Sequence, residues 1–480
     1  MVCLLVIGLA LGGLVTIPAG TESKGPVPCP GVTSWKGSQT LGSGSPEPMN
    51  PCPGFERAKT FGTAGVHDAA VGLDVTSDGG AVVLIRTHTA GGATVLKLDG
   101  EGTVMWQQRF SHPVGLDGDI QQTLDGGYIA ALDADAPGRP ILVYRLDAVG
   151  NILWQGLYDG PGNSRVYSIA ETSDGGFLTA GDALAPDGQR SYLWVLRLDS
   201  TGTVVWQRAF GGPGGENYFA GARPTPDGGF VAAGRIGITT SSFVVKGDAA
   251  GSLTWQKSYG GPRGSYLIFH SIQTTTDGGF VAAGRLDVGG TSTWNVVKLT
   301  ATGSISWQKT YGELSGLVSI SQTSDGGYLS TTTLSVAGTG YELALLRLTS
   351  TGDKVWQRTY GGSGYDQPCI SHCVQEAADG NILVAGYTNS FGTRGADPGV
   401  PQGEGWMNMD AWVLRVFSDG MISSTCDPSF GTSLRHPTVQ GSKIKASGLA
   451  FASSVPSMTT FDPGVTASPG TLVGYTQCAA

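Results

Sequence analysis

The chain has 480 residues, of which 77 are glycine and only 14% are charged, with a formal net charge of −9 and an isoelectric point near 5.1. No basic stripe or Lys/Arg run is present, which excludes partners held by phosphate neutralisation, namely nucleic acid and anionic membrane surfaces. What remains is a turn-rich, weakly charged chain.

Read from the N-terminus, residues 2–17 are apolar and Pro18-Ala19-Gly20 follows, a length that suits a secretory signal better than a membrane span. No Lys or Arg precedes Lys24, so an uncleaved N-terminal anchor is the alternative. Secretion is the expectation, and cleavage near Ala19 or Gly20 leaves six cysteines, an even number that reads as disulfides with 15 possible pairings. Residues 21–53 are rich in Pro, Gly and Ser, with Pro-Cys-Pro-Gly at 28–31 and 51–54, and read as a tethering linker.

From 54 to 426 the chain repeats itself. Asp-Gly-Gly or a near relative recurs at Asp78, Asp125, Asp174, Asp227, Asp277, Asp325 and Asp379, at spacings of 47, 49, 53, 50, 48 and 54 residues. A second anchor, Gly-x-apolar-x-Trp, keeps the same beat at Trp106, Trp154, Trp206, Trp255, Trp307 and Trp356. A period of about 40–50 residues made of short alternating runs predicts an all-β, seven-bladed propeller of four-stranded antiparallel blades.

The unit at 164–212 shows the expected blade. Strands at 166–171, 177–181, 194–199 and 204–210 are separated by the Asp174-Gly175-Gly176 turn, a longer loop, and the Ser200-Thr201-Gly202 turn. The Asp-Gly pairs predict two-residue hairpins whose residues take positive φ. The six repeated Trp residues are assigned to packing between blades rather than to ligand stacking. The seventh repeat has a third strand at 411–417 but no Trp after Asp419-Gly420. Upstream of the first repeat, Arg57-Ala58-Lys59-Thr60-Phe61-Gly62 copies the strand ends Arg208-Ala209-Phe210-Gly211 and Lys309-Thr310-Tyr311-Gly312. The N-terminal segment is therefore expected to close the ring as the outer strand of blade 7. Residues 427–480 form a Ser/Thr-rich tail, with runs at 443–446 and 471–475 that can be extended.

The pattern Trp-Gln-Lys/Arg-x-Tyr/Phe-Gly-Gly, Thr-x-Asp-Gly-Gly-Phe/Tyr, Leu-Arg/Lys-Leu-x-x-x-Gly resembles a family of secreted prokaryotic β-propeller repeat proteins, mainly uncharacterised. The resemblance covers about 55–426 and is specific for the repeat, not for an activity. Members also end in a Thr/Ser-rich tail bracketed by two cysteines, as Cys426 and Cys478 do here. The expected pairs are Cys369–Cys373 as a local loop, Cys426–Cys478 as the tail bracket and, by remainder, Cys29–Cys52; Cys52–Cys426 is the competing latch. Asp199-Ser200-Thr201-Gly202-Thr203-Val204-Val205-Trp206 is also similar to the Trp-docking motif of quinoprotein-dehydrogenase propellers, though one residue shorter. A quinone site needs a vicinal disulfide, and no Cys-Cys pair exists here.

Both tight turns of a blade lie on one face, so the longer loops share the other, where near-identical repeats differ. Candidate ligand-binding residues there are Asp68, Asp117, Asp119, Glu216, Tyr218, Arg263, Tyr266, Tyr365 and Asp366, with Trp406 in the long loop of the seventh repeat. A ring of carboxylates and aromatics suits a sugar or a cation, and a carboxylate pair about 5–10 Å apart suits glycoside hydrolysis. The plain alternative is that these are solvated loop residues. Asp117-Gly118-Asp119 and Asp133-Ala134-Asp135 are too short for a calcium loop, and Cys369-Ile370-Ser371-His372-Cys373 lacks a fourth zinc ligand at suitable spacing. No phosphate loop, metalloprotease motif or nucleophile elbow is present. The expected function is a non-catalytic binding or scaffold module at the cell exterior, with a glycan or protein partner and neither cofactor nor metal. A polysaccharide-acting enzyme is the alternative, and a quinone-dependent oxidoreductase a weaker one.

Overall fold

Period-two alternation bounded by glycine turns builds the same unit seven times. The computed structural model describes residues 58–62, 67–87, 92–160, 162–184, 191–211, 218–235, 241–260, 265–313, 316, 318–336, 340–362, 364–369, 372–390, 409–422, and four tail pieces at 453–454, 459–461, 467–468 and 474–476. Blade 1 comprises strand a (Asp68–Val75), b (Ala81–Thr87), c (Ala93–Leu98) and d (Val104–Phe110), all antiparallel. Blades 2 to 6 repeat this order over 114–158, 164–211, 218–260, 266–313 and 319–360. Blade 7 takes a, b and c from 366–416, and its d strand is Ala58–Phe61, paired from Ala58 with Leu414 to Phe61 with Ala411. The chain thus forms a seven-bladed β-propeller closed by its N-terminal strand, and residues 54–479 make one compact unit.

The a–b turn explains two of the repeated motifs. Thr76 N–H donates to Gly80 O and Gly79 N–H donates back to Thr76 O, giving a three-residue loop rather than the two-residue hairpin expected. Only the glycine after the aspartate takes positive φ, 82° at Gly79, while the aspartate stays in the ordinary region. The second glycine is needed for a different reason, since a β-carbon on Gly80 would collide with the carbonyl of Leu98. The aspartate accepts from the Thr two residues before it and from the second glycine's N–H, as Asp78 does from Thr76 and Gly80. Its other partner is the cation of strand c. Lys97 with Asp78, Arg145 with Asp125, Arg197 with Asp174, Lys246 with Asp227, Lys298 with Asp277, Arg347 with Asp325 and Arg415 with Asp379 repeat the pair in all seven blades. The aspartates are half-exposed, so each pair fixes turn geometry more than it adds stability.

The core consists of seven apolar layers, each shared by two adjacent blades. At the rim each repeated Trp lies over the c–d turn glycine of the next blade. A β-carbon on Gly150 would stand 2.7 Å from the Trp106 ring, and Gly202, Gly251, Gly303, Gly352 and Gly420 face Trp154, Trp206, Trp255, Trp307 and Trp356 likewise. Indole N–H groups donate to the same turns, Trp206 to Ala249 O at 2.8 Å and Trp307 to Ser350 O at 3.2 Å. These rings are only half-buried, and the fully buried indoles are Trp194, Trp294 and Trp412 of strands c. At the closing seam Lys59, not an indole, covers Gly102, beside a groove of about 70 Å³ lined by Lys59, Asp99, Glu101, Asp379 and Arg415.

A second lock sits near the axis. Gln122 accepts from Ser77 N–H, Glu171 from Leu124 N–H, Gln322 from Thr276 N–H and Glu376 from Ser324 N–H, each tying strand a to the preceding blade's turn. Blade 4 carries Pro226 at the donor position, and the residue of blade 5 that would accept from it is Thr274 rather than Gln or Glu. Proline offers no N–H, so no acceptor is required. The tail adds a fifth, outermost strand to four blades: Ser453–Ser454 on blade 4, Thr459–Phe461 on blade 3, Ala467–Ser468 on blade 2 and Gly474–Thr476 on blade 1. It thus steps backwards round the ring and covers edges that would otherwise be open.

A chain beginning at residue 65 lacks Ala58–Phe61 and leaves strand c of blade 7 unpaired. Calorimetry is expected to show a lower melting temperature and aggregation on heating; an unchanged melting curve would refute the closure. Trp206→Ala removes a ring and its bond to Ala249, and guanidinium unfolding should show a loss of about 3 kcal/mol, the lower end for a large aromatic because the ring is half-buried.

Candidate functional site

Strand a lines the axis, and an irregularity in it aims side chains inward. In blades 1, 3, 4 and 5 one residue of strand a is unpaired against strand b: Val71, Tyr167, Ala220 and His270. Such a bulge turns the strand and re-aims a side chain. Opposite it stands Gly181, Gly234, Gly284 or, in blade 7, Gly386; a β-carbon on Gly181, Gly284 or Gly386 would strike a carbonyl of strand a. The next residue of strand b, eight after the turn aspartate, is Arg86, Asp133, Asp182, Arg235, Arg285, Thr333 and Tyr387 from blade 1 to blade 7. This position is charged in five of the seven blades, whereas the residues on either side of it are uncharged in all seven.

Four of these residues meet across blades 7, 1, 2 and 3. Asp117 feels the charges of Asp133, Arg165, Asp182 and Arg86, and Arg86 in turn feels Asp117, Tyr387 and Asp133. Asp133 Oδ1 accepts from the Asp117 N–H at 2.9 Å, while its Oδ2, buried, has no hydrogen-bond partner among the described residues. Tyr167 bonds to Asp182 and to Arg165. Burial and then the charge of Asp133 push the Asp117 carboxyl up to about 7. Burial raises Asp133 and Asp182 as well, and it lifts the Tyr167 phenol well above its usual range with help from Asp182 and Asp117. Arg165 is exposed and Tyr167 and Asp182 are half-buried, so this cluster opens on the face of the long loops.

Deeper along strand a lies a second polar layer. Asp119, fully buried, accepts from the N–H groups of Ile120 and Ile169 and lies 3.3 Å from His372 Nδ1. Arg223 Nη2 is 2.7 Å from the same ring nitrogen, and Gln273 Nε2 is 2.7 Å from His372 Nε2. Asp74 accepts from Gln122 N–H and from Gln375 Nε2; burial overrides both bonds and raises it to about 7. Burial and Arg223 hold His372 below the ordinary histidine value.

The predicted residues divide. Asp117 belongs to the mouth cluster, but it and Asp119 lie in a strand, Val114–Gln122, not in a loop. Asp119 is part of the deeper layer. Asp68 and Asp366 are buried: Asp68 accepts from Thr87 at 2.7 Å, and Asp366 from Thr388, Ser390 and the Gly362 N–H. They order loop ends and do not form an open ring, because a buried carboxylate must spend its oxygens on donors already present. Tyr266 is exposed at the start of its strand, Tyr365 rests against Tyr341 with ring centres 5.3 Å apart, and Tyr218 opens strand a of blade 4. Glu216, Arg263 and Trp406 lie outside the described residues, as do Cys29, Cys52, Cys426 and Cys478. Cys369 and Cys373 form the local disulfide expected. Not assigned to the site from the sequence were Arg86, Asp133, Asp182 and Tyr387, which counting eight residues from each turn aspartate would have singled out, and Arg223 and His372, which no sequence signal brings together.

No protein family matches the sequence, and no curated protein matches it. Among solved structures, a protein of unknown function from Bacteroides caccae is 14% identical, covers 62% of this chain and 92% of its own, and has a TM-score of 0.38. The GH93 α-L-arabinofuranosidase of Fusarium graminearum, in complex with arabinobiose, is 10% identical over 74% of this chain and 94% of its own, with a TM-score of 0.40. YCF48 from Cyanidioschyzon merolae is 10% identical over 76% of this chain and 100% of its own, with a TM-score of 0.39. Likenesses this distant carry no argument about what this chain binds or does.

The two layers set a pH dependence. Asp74 and Asp117 rise from 3.8 to about 7 on folding, so between those values the folded state holds protons that the unfolded chain has released. Stability from these groups is complete below 3.8 and is lost as pH rises towards about 7. The turn aspartates act in the opposite sense. Burial alone would raise Asp78, Asp227 and Asp277, but the bonds from Lys97, Lys246 and Lys298 and from the turn Thr and Gly bring them down to about 2. Their contribution is present above 3.8 and lost as pH falls towards about 2. The melting temperature is expected to peak a little above pH 4 and to decline towards about pH 7, and Asp117→Asn should flatten that decline. A parent profile flat from about pH 4 to pH 7 would refute the protonated state of both carboxyls.

Proposed function

We propose that the chain is a secreted, non-catalytic binding module whose mouth cluster takes a hydroxyl-rich ligand, a carbohydrate. The observation that carries this reading is one position on strand b, charged in five of seven blades between uncharged neighbours, which sets Arg86, Asp133, Asp182 and Tyr387 around one opening. A binding surface built on a repeat scaffold varies where the ligand lies and repeats where the blades pack. The chemistry favours hydroxyl groups. A carboxyl held protonated both donates and accepts, as a sugar hydroxyl does, whereas a cation would need ionised carboxylates and an anion would meet Asp117, Asp133 and Asp182. Arg86, Arg165 and Tyr167 supply further donors, and the opposed charges leave the site near neutral. The apolar N-terminal stretch and the Cys369–Cys373 bridge support export to an oxidising compartment.

One observation favours the catalytic alternative: an Asp117 carboxyl at about 7 suits a general acid. A glycan panel read for both retained ligand and released reducing ends separates the two. The expected outcome is retention without release, reduced at least about tenfold by Tyr167→Phe and by Asp182→Asn, each of which removes one hydrogen-bonding group. Their melting temperatures should stay within a few degrees of the parent, since both side chains are half-buried. Reducing ends released by the parent and lost in Asp117→Asn would give the site to catalysis.

A further inference from the structure

We infer that the mouth is a blind cup, floored by His372 and the buried Asp119, Arg223 and Gln273 that it meets, which takes the end of a saccharide chain and not a segment threaded through the ring. The inference rests on the carbohydrate reading of the mouth and adds which part of the ligand fits.

The floor comes from an exaggerated bulge. Where strand a of blades 1, 3, 4 and 5 has one unpaired residue, strand a of blade 7 breaks between Pro368, paired with Gly386, and Val374, paired with Val384. Cys369 N–H donates to Ala385 O at 3.0 Å and Ala385 N–H to Cys373 O at 2.9 Å, so the extra chain is pinched off at its base. The disulfide ties the same two ends. His372 directly precedes Cys373.

What His372 touches fixes where it stands. It belongs to blade 7, yet its ring meets Asp119 of blade 2, Arg223 of blade 4 and Gln273 of blade 5. No point on the rim of a seven-membered ring is close to all four blades; only the axis is. Arg223 is held there by a second bond, Nε to Gln273 Oε1 at 3.2 Å. All but about a tenth of the surface of His372 and Arg223 is covered, and Asp119 is covered completely. These side chains therefore bridge the centre of the ring. Counted back from the turn aspartate of each blade, Asp119 lies two residues, and Arg223 and Gln273 four, further along strand a than Asp117, that is, towards the tight-turn face. A ligand entering between Tyr167, Asp182 and Tyr387 meets this layer and must stop.

The test uses the full mature chain and two measurements. Linear cello-, xylo- and malto-oligosaccharides are titrated by calorimetry. For each that binds, its polymer, a version capped at both ends and, for the malto series, the cyclic oligomer are titrated too. Binding stoichiometry on the polymer should follow the number of chain ends, and capping or cyclisation should weaken binding at least tenfold. Equal binding of capped or cyclic forms, or stoichiometry that follows polymer length, overturns the blind cup while leaving the carbohydrate reading intact. No binding by any saccharide overturns both. The second measurement needs no ligand: the amides of Ile120 and Ile169 donate to Asp119, so their hydrogen exchange reports on the floor. Exchange there should quicken at least tenfold in His372→Ala and after reduction of the Cys369–Cys373 bridge. Unchanged exchange in His372→Ala would show that His372 is not the floor.

Discussion

The ring depends on a contact that only glycine permits. Six times an indole lies on the c–d turn of the next blade, over a glycine whose β-carbon would stand within about 3 Å of the ring. The glycine supplies both the positive φ of the turn and the room for the ring. The tyrosine that follows along strand d adds to the same turn: Tyr158, Tyr259, Tyr311 and Tyr360 donate to the carbonyls of Gly202, Gly303, Gly352 and Gly420. Burial of these phenols lifts each above the ordinary tyrosine range, so they stay neutral donors at any physiological pH. The seventh contact is different because its d strand comes from the other end of the chain. Lys59 lies on Gly102 there, and the groove beside it marks the seam.

Moving inward, packing gives way to polar bonding. Outer strands meet through rings and apolar layers, whereas strands a converge on an axis too narrow for seven large apolar side chains and too buried for free charge. The result is a network of donors and acceptors in which Asp74, Asp119, Arg223, Gln273, His372 and Gln375 satisfy one another across blades. Buried polar groups of this kind hold a geometry firmly when every partner is present. The mouth cluster above it holds two buried oxygens, Asp133 Oδ2 and Asp182 Oδ1, without partners among the described residues.

The tail changes the meaning of the outer edge. An isolated four-stranded blade exposes the whole of strand d, and blades 1 to 4 have part of that edge covered by residues between 453 and 476. The run at 471–475, extended by its sequence, overlaps the strand Gly474–Thr476 on blade 1. Composition alone gave no reason to attach a Ser/Thr-rich segment to any particular blade, since strand pairing at an edge is made by backbone groups that every residue carries.

Local rules determined the blades. The Asp-Gly-Gly turn, the Leu-Arg/Lys-Leu strand and the Gly-x-apolar-x-Trp strand each act within one repeat or between neighbours, so seven copies announced seven blades, their order and the closing role of Arg57-Ala58-Lys59-Thr60-Phe61-Gly62. The Cys369–Cys373 bridge was legible for the same reason: its partners lie four residues apart. The site was not. Asp117 and Asp119 are two residues apart, yet one reaches the mouth and the other the deeper layer. His372 and Arg223 are 149 positions apart and meet only because the ring brings its first strands to a common axis. Sequence period specifies how each unit folds and what it docks against. Which side chains share the centre is decided by closure, because closure alone turns seven separate strand positions into neighbours.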